Sequence, residues 1–198
     1  MTSPPHPLDS EMRPDHRTDD AGSYADMGSD GDVSSIRLAR MAEADQIGEL
    51  TLRAYATDGF ISAEDDYAAE LTDAAGRLAG AEVWVATVAG DLLGTVTFCP
   101  PGSRYRELAC DREGEFRMLA IDPAARGRGL ARALVQRCLD RCTELGLSEV
   151  VLCSMAEMSV AHSLYASMGF VRDPSLDWEP ARGVVLLGFR ATVATASS

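Results

Sequence analysis

The chain has 198 residues, is 46% hydrophobic and 25% charged, and carries a formal net charge of -13, the balance of a soluble globular domain with a short extension. No apolar run approaches the roughly 18 residues of a membrane span, and the N-terminal "MTSPPHPLDSEMRPDHR" lacks the charged lead and apolar core of a secretory signal, so a cytoplasmic protein without a membrane partner is expected. A pI near 4.6 argues against a nucleic-acid partner, because phosphate-backbone binders carry a basic face.

Residues 1–33 hold four of the nine prolines with many Asp, Ser and Gly, and read as a disordered acidic leader. From Ser34, "SSIRLARM" alternates as a strand. "AEADQIGELTLRAYA" then takes helical spacing at Ile47, Leu50 and Ala54. Ser62 and Asp65 form a capping box for a second helix that Gly80 closes. "EVWVATV", the turn "AGD" and "LLGTVTF" predict a hairpin. The loop "PPGSRYRELACDREG" leads to a fourth strand, "EFRMLAI".

Next comes "DPAARGRGLARALVQRCLDRC", in which Leu130, Leu134, Cys138 and Cys142 form one apolar helical row ending at Gly146. "SEVVLC" is a buried strand, "MSVAHSLYASMG" a helix capped by Gly169, then a short strand at Phe170, and "GVVLLGFRA" a last strand. The order β-α-α-β-β-β-α-β-α-β-β places helices on both faces of one mixed sheet, an α/β (α+β) domain over residues 34–192 with a flexible tail at 193–198. The five cysteines are odd in number, contain no CxxC and sit mostly among apolar residues, so neither a disulfide framework nor a metal site is expected.

The chemistry concentrates where the fourth strand turns into the long helix. A helix N-terminus exposes unpaired N–H groups and the positive end of the helix dipole. Gly127 and Gly129 let backbone approach a ligand closely, and Arg126, Arg128 and Arg132 add positive charge, which points to a phosphate-bearing ligand. A Walker loop is excluded because the chain has no Lys, and the dinucleotide fingerprint fails at Arg132.

Read as R-x-x-G-x-A from Arg126 to Ala131, the turn resembles the acetyl-CoA pyrophosphate loop of the GCN5-related N-acetyltransferases, the GNAT superfamily. "MLAIDP" before it is similar to the family's fourth strand, and "AHSLYASMGF" after it to the family's A-x-x-L-Y-x-x-x-G-F helix and turn. The resemblance runs from Ser34 to Ala191 and is best between Glu115 and Phe170. It implies a mostly antiparallel sheet splayed open after the fourth strand. Pantetheine would lie along Leu119, Ala120 and Ile121, and the pyrophosphate on the N–H groups of Gly127, Arg128, Gly129, Leu130 and Ala131, with Arg126 and Arg132 beside it. It also implies an acetyl-CoA-dependent N-acetyltransferase without a metal, acting directly on a primary amine of a small molecule or peptide. Homodimerisation is left open, and the alternative is an acyl-CoA-binding regulatory module without catalysis.

Tyr165 matches the family tyrosine that acts as general acid near the sulfur, although helix packing with Ala161 and Met168 also explains it. Glu115 opens the fourth strand where several members keep a general base. On a period-two strand it would share a face with Arg117, Leu119 and Ile121 and look along the cleft. A solvated strand-end glutamate paired with Arg117 is an equal reading, with water as the base. The chain departs from the family at Met158, where an asparagine often bonds pantetheine. His162 reads as a packing histidine and Trp84 as strand core. Trp178 could line the acceptor pocket or fold its loop, and Asp58 could attract an amine or stay solvated.

Overall fold

In the computed structural model, which describes residues 24–25, 34–61, 66–181 and 184–193, the alternating segments join into one sheet. The elements in chain order are β1 (Tyr24–Ala25), β2 (Ser34–Leu38), α1 (Ala44–Thr57), α2 (Asp66–Thr72), α3 (Ala74–Gly80), β3 (Glu82–Val88), β4 (Asp91–Cys99), β5 (Glu113–Ile121), α4 (Leu130–Glu144), β6 (Glu149–Met155), α5 (Ser159–Ser167), β7 (Val171–Arg172), β8 (Trp178–Ala181) and β9 (Val184–Thr192). The leader apart from Tyr24–Ala25, the Ser62–Asp65 capping box and residues 194–198 lie outside the described residues. Val193, counted with the tail, is buried and its N–H donates to Ser148 O at 3.0 Å, so the ordered edge extends one residue past Thr192.

The sheet runs β1-β2-β3-β4-β5-β6-β9-β7, with β8 on β9. Every pairing is antiparallel except β5 with β6. Strand β3 is covered on both faces and alternates between two cores. Trp84 and Ala86 join Phe98, Phe116, Leu134, Cys138 and Leu152 on the α4–α5 side, whereas Val83 and Val85 join Ile47, Leu50 and Ala120 on the α1 side. The apolar rows of α1 and α4 fall where their spacing predicts, and Cys138 and Cys142 are core residues with no exposure. No helix among the described residues is long and apolar enough to cross a membrane.

The helix expected to run unbroken to Gly80 is two helices. Asp73 leaves helical geometry (φ -73°, ψ 63°) and its carboxylate accepts from Gly76 N–H at 2.8 Å, so it caps α3 while ending α2. Arg77 turns back into the break, where its Nη1 donates to the carbonyls of Glu70 (2.7 Å) and Leu71 (3.0 Å). Those are orphan carbonyls at the end of α2, and a cation there also meets the negative end of the helix dipole. The arginine is only 2% exposed, and burial pulls its pKa down.

Gly48 of α1 lies under this break, and a Cβ built there would stand 2.4 Å from the backbone oxygen of Thr72. Alanine is the better helix former by about 1 kcal/mol, but the contact is with backbone and cannot swing away. Gly48→Ala should therefore destabilise the protein by about 1–3 kcal/mol, the usual scale of overpacking, and the midpoint of urea unfolding measures it; an unchanged or raised midpoint would show that α2 yields freely.

Candidate active site

The register between β4 and β5 breaks in the middle. Thr95 opposes Ala120 and Thr97 opposes Arg117, so Met118 and Leu119 together face the single residue Val96. Met118 takes the strain with φ 52°, in the left-handed region that a side chain enters at a cost. This bulge overturns the period-two expectation for β5. Phe116 points to the α4–α5 core with Leu119 and Ile121, while Ala120 points to the α1 core. Glu115 and Arg117 therefore do not share a face with Leu119 and Ile121, because one extra residue inverts the alternation between them.

The parallel pairing of β5 with β6 lasts for only three residue pairs, from Glu113↔Glu149 to Glu115↔Val151. Beyond it, β6 stays with β9 as far as Met155↔Leu186, and β5 stays with β4 as far as Ile121↔Gly94. The sheet is thus splayed, and the edge of β5 from Phe116 to Ile121 faces the gap without a paired strand among the described residues.

The glycine turn closes one end of that gap. Asp122 leaves β5, accepts from Ala124 N–H (2.9 Å), and bonds Arg53 of α1 at 2.7 Å; both contacts hold its carboxyl below the usual range. Gly127 and Gly129 have φ of 78° and 80°, and a Cβ at either would meet nothing within 4 Å, so the turn presents bare backbone to open space. Gly129 caps α4 without any side-chain cap, no acidic residue lies in the first turn, and the bond from Ala133 N–H to Gly129 O (3.1 Å) opens the helix ladder. The N–H groups at the start of α4 are those a bound anion would take.

The arginines of the turn are more committed than their sequence implies. Arg126 is held by both carboxylate oxygens of Asp58 (2.6 and 2.9 Å) and by Ala54 O (3.3 Å), so neither Arg126 nor Asp58 presents a lone charge to a ligand. Arg132 donates to Ser167 Oγ at 2.6 Å, which ties α4 to α5. Arg128 is exposed between the two glycines. The side chain of Leu130 is buried in the core and that of Ala131 is half-buried, leaving their backbone as the part available to a ligand.

Tyr165 is 5% exposed and stands in a ring cluster, with the centroids of Phe116, Phe170 and Phe189 each 5.9 Å away. Burial pushes its phenol well above the ordinary range, which keeps it protonated.

Glu115 is placed otherwise than expected. It is 1% exposed, and its Oε2 accepts three backbone N–H groups, from Glu107 (2.9 Å), Leu108 (2.9 Å) and Ala109 (3.2 Å). It does not look along the cleft; it fastens the loop before β5. Arg117 lies beside it, with Nε 4.0 Å from Glu115 Oε1, Nη1 2.6 Å from Glu107 Oε1, and a further bond to Tyr105 O at 3.2 Å. Here Arg117, Tyr105 and Glu107 join Glu70, Asp73, Arg104 and Met118 around a pocket of about 230 Å³. Sequence reasoning missed Glu107, which follows no periodicity; its single sequence cue is its place in an unusually long loop.

The remaining candidates have structural partners. Met158 caps α5 and accepts a weak bond from Ser154 Oγ at 3.5 Å, so no side-chain amide stands there. His162 packs on Phe189 at 4.9 Å between centroids, and burial lowers its pKa. The Trp178 indole donates to Cys153 Sγ at 3.3 Å, fixing β8 over β6. Trp84 lies in the core under the Arg137 guanidinium, 4.2 Å from the ring centroid. Among the described residues no three His, Cys, Asp or Glu side chains are grouped to hold a metal.

The family model described as "Acetyltransferase (GNAT) family" matches residues 45–170. A stretch of 93 residues is 36% identical to N-acetylaspartate synthetase of Danio rerio, covering 47% of this chain and 30% of that protein. Another of 85 residues is 40% identical to mycothiol acetyltransferase of Cellulomonas flavigena, covering 42% of this chain and 24% of that one. The chain thus spans a third or less of these relatives. Among solved structures, the PaiA N-acetyltransferase of Thermoplasma acidophilum in complex with coenzyme A superposes with a TM-score of 0.65 at 14% identity, covering 80% of this chain and 98% of that one. YncA of Salmonella typhimurium with its cofactor acetyl-CoA gives 0.60 at 22% identity, covering 83% and 96%. With the family model spanning the splay, the glycine turn and the tyrosine helix together, the chain belongs to the GNAT acetyltransferase family.

Proposed function

We propose that the chain transfers the acetyl group of acetyl-CoA directly to a primary amine of a small molecule or peptide. The observation that carries this reading is an unpaired β5 edge that runs into a helix N-terminus without a side-chain cap, behind two left-handed glycines. The backbone from Gly127 to Arg132 would hold the pyrophosphate, and the free edge at Leu119, Ala120 and Ile121 would hold the pantetheine amides in the manner of an added strand. Bound there, acetyl-CoA supplies an activated acyl carbonyl and a thiolate leaving group.

The residues of the chain would orient and move protons. Tyr165, kept neutral by burial, would donate its phenolic proton to the departing sulfur. The proton of the amine would leave through water, because Glu115 already accepts three N–H groups. No acyl-cysteine is called for. Burial pushes the thiols of Cys99 and Cys142 up to about 12 and that of Cys153 up to about 11, so these three hold little thiolate near neutrality. The names of the relatives that match parts of the chain, a mycothiol acetyltransferase and an N-acetylaspartate synthetase, agree with acetyl transfer.

Acetyl-CoA should raise the melting temperature with the logarithm of its concentration, with about 2.7 kcal/mol of added stability at a hundred times its dissociation constant. Gly129→Asp, which puts a carboxylate where phosphates approach, should abolish that shift while the apo protein stays folded; an undiminished shift would move the phosphate site elsewhere.

Tyr165→Phe keeps the ring packing and should lower kcat by roughly 10²-fold, with CoA affinity unchanged. Wild-type turnover under conditions where chemistry limits the rate would return Tyr165 to a packing role. Glu115→Ala should act on stability, leaving three N–H groups unsatisfied at a cost of about 2 kcal/mol or more. Full stability together with a lost acidic limb in the pH–rate profile would instead make Glu115 the base.

A further inference from the structure

The pocket of about 230 Å³ has the bulge residue Met118 in its wall, so it adjoins the stretch of β5 where pairing with β6 has ended. Its other walls come from Glu70 of α2, Asp73 at the α2–α3 break, and the loop residues Arg104, Tyr105 and Glu107. Arg117 forms the remaining side, but its charge is engaged between Glu107 at 2.6 Å and Glu115 at 4.0 Å. Arg104 reaches Gly76 O at 3.1 Å and lies over the Tyr105 ring, 5.2 Å from its centroid. The buried Arg77 is directed at the carbonyls of Glu70 and Leu71.

Among the residues that line the cavity, the three carboxylates of Glu70, Asp73 and Glu107 stand with the two guanidiniums of Arg104 and Arg117. The balance of the lining is negative by one. Glu107 combines contact with the cavity and access: its side chain is 37% exposed, whereas that of Glu115 is 2% exposed. The N–H of Glu107 is one of the three that Glu115 holds, so the buried glutamate fixes where the accessible one stands.

We propose that this pocket is the acceptor subsite, that Glu107 receives the ammonium group of the incoming amine, and that the site selects cationic amines over amino acids with a free carboxylate beside the amine. The proposal rests on the acetyl-transfer reading and adds the substrate class. An acceptor arrives as an ammonium ion near neutral pH. A concave site of negative balance concentrates it, and the overall charge of -13 acts in the same direction. A carboxylate one carbon from the amine would meet the charges of Glu70 and Glu107, because Arg117, the cation bonded to Glu107, already has two carboxylate partners. Glu115 is here a positioning residue that acts through Glu107.

The test uses pairs that differ in one charge, such as leucine with leucinamide and phenylalanine with phenylalaninamide. Binding of each is measured by calorimetry on the full chain saturated with CoA, and turnover by thiol release from acetyl-CoA. The amides should bind more tightly by about two- to five-fold, the scale of one partly exposed charge contact. Glu107→Gln and, separately, Glu70→Gln should each narrow that ratio without changing CoA affinity or the melting temperature. If the amino acids bind as well as their amides, or the ratio survives both substitutions, the subsite is overturned even where acetylation occurs. Preferential amide binding without thiol release would overturn the transfer reading and leave the subsite standing. Failure of both amides and acids to bind would overturn the subsite.

Discussion

Two adjacent strands that part company create everything else in this molecule. A parallel pair normally gains a hydrogen bond for each step along the ladder, yet β5 and β6 stop after Glu115↔Val151 although both strands continue. The bulge at Met118 turns β5 toward β4, and the full-length pairing of β6 with β9 holds the other wall in place. The gap is therefore bounded by two well-paired antiparallel neighbours, β4 on one bank and β9 on the other. Backbone groups left facing it are a cost in an empty sheet and an asset in one that receives an amide-bearing ligand as a surrogate strand.

Around that gap the chain fixes its loops with charge instead of apolar contact. The long loop before β5 contains few side chains able to bury surface, and it is gathered by one carboxylate taking three N–H groups, with Arg117 bracing the same carboxylate from the side. On the opposite bank, Arg53–Asp122 and Arg126–Asp58 strap α1 to the turn that follows β5. Helix α1 thus does two things at once. Ile47 and Leu50 fill one core, and its C-terminal half sets the height of the glycine turn above the sheet.

Most of this architecture was legible in the sequence. Strict alternation marked the hairpin, the apolar row Leu130, Leu134, Cys138 and Cys142 marked α4, and two glycines between arginines marked the turn. What escaped has a physical reason in each case. Period-two counting cannot foresee an inserted residue, so the inversion at Met118 moved Glu115 and Arg117 to the other face from Leu119 and Ile121. The break at Asp73 depends on Arg77 folding back from three residues past the α2–α3 boundary, which local propensity does not encode. Glu107 carries no pattern at all, since its position is set by the carboxylate of a residue on another element. Side chains whose roles are assigned by a partner distant in sequence are the ones a linear reading misplaces.

The paired state of Arg126 changes how the turn would treat an anion. With Asp58 on both its Nη atoms and Arg132 directed at Ser167, these two basic side chains beside the glycines answer to the protein. Attraction at the turn must then come largely from aligned N–H dipoles at the head of α4, which act over short range and are not ions exchanged with the solvent. A site held by dipoles discriminates by shape, admitting a flat, extended diphosphate lying along the backbone and giving little to a bulky polyanion.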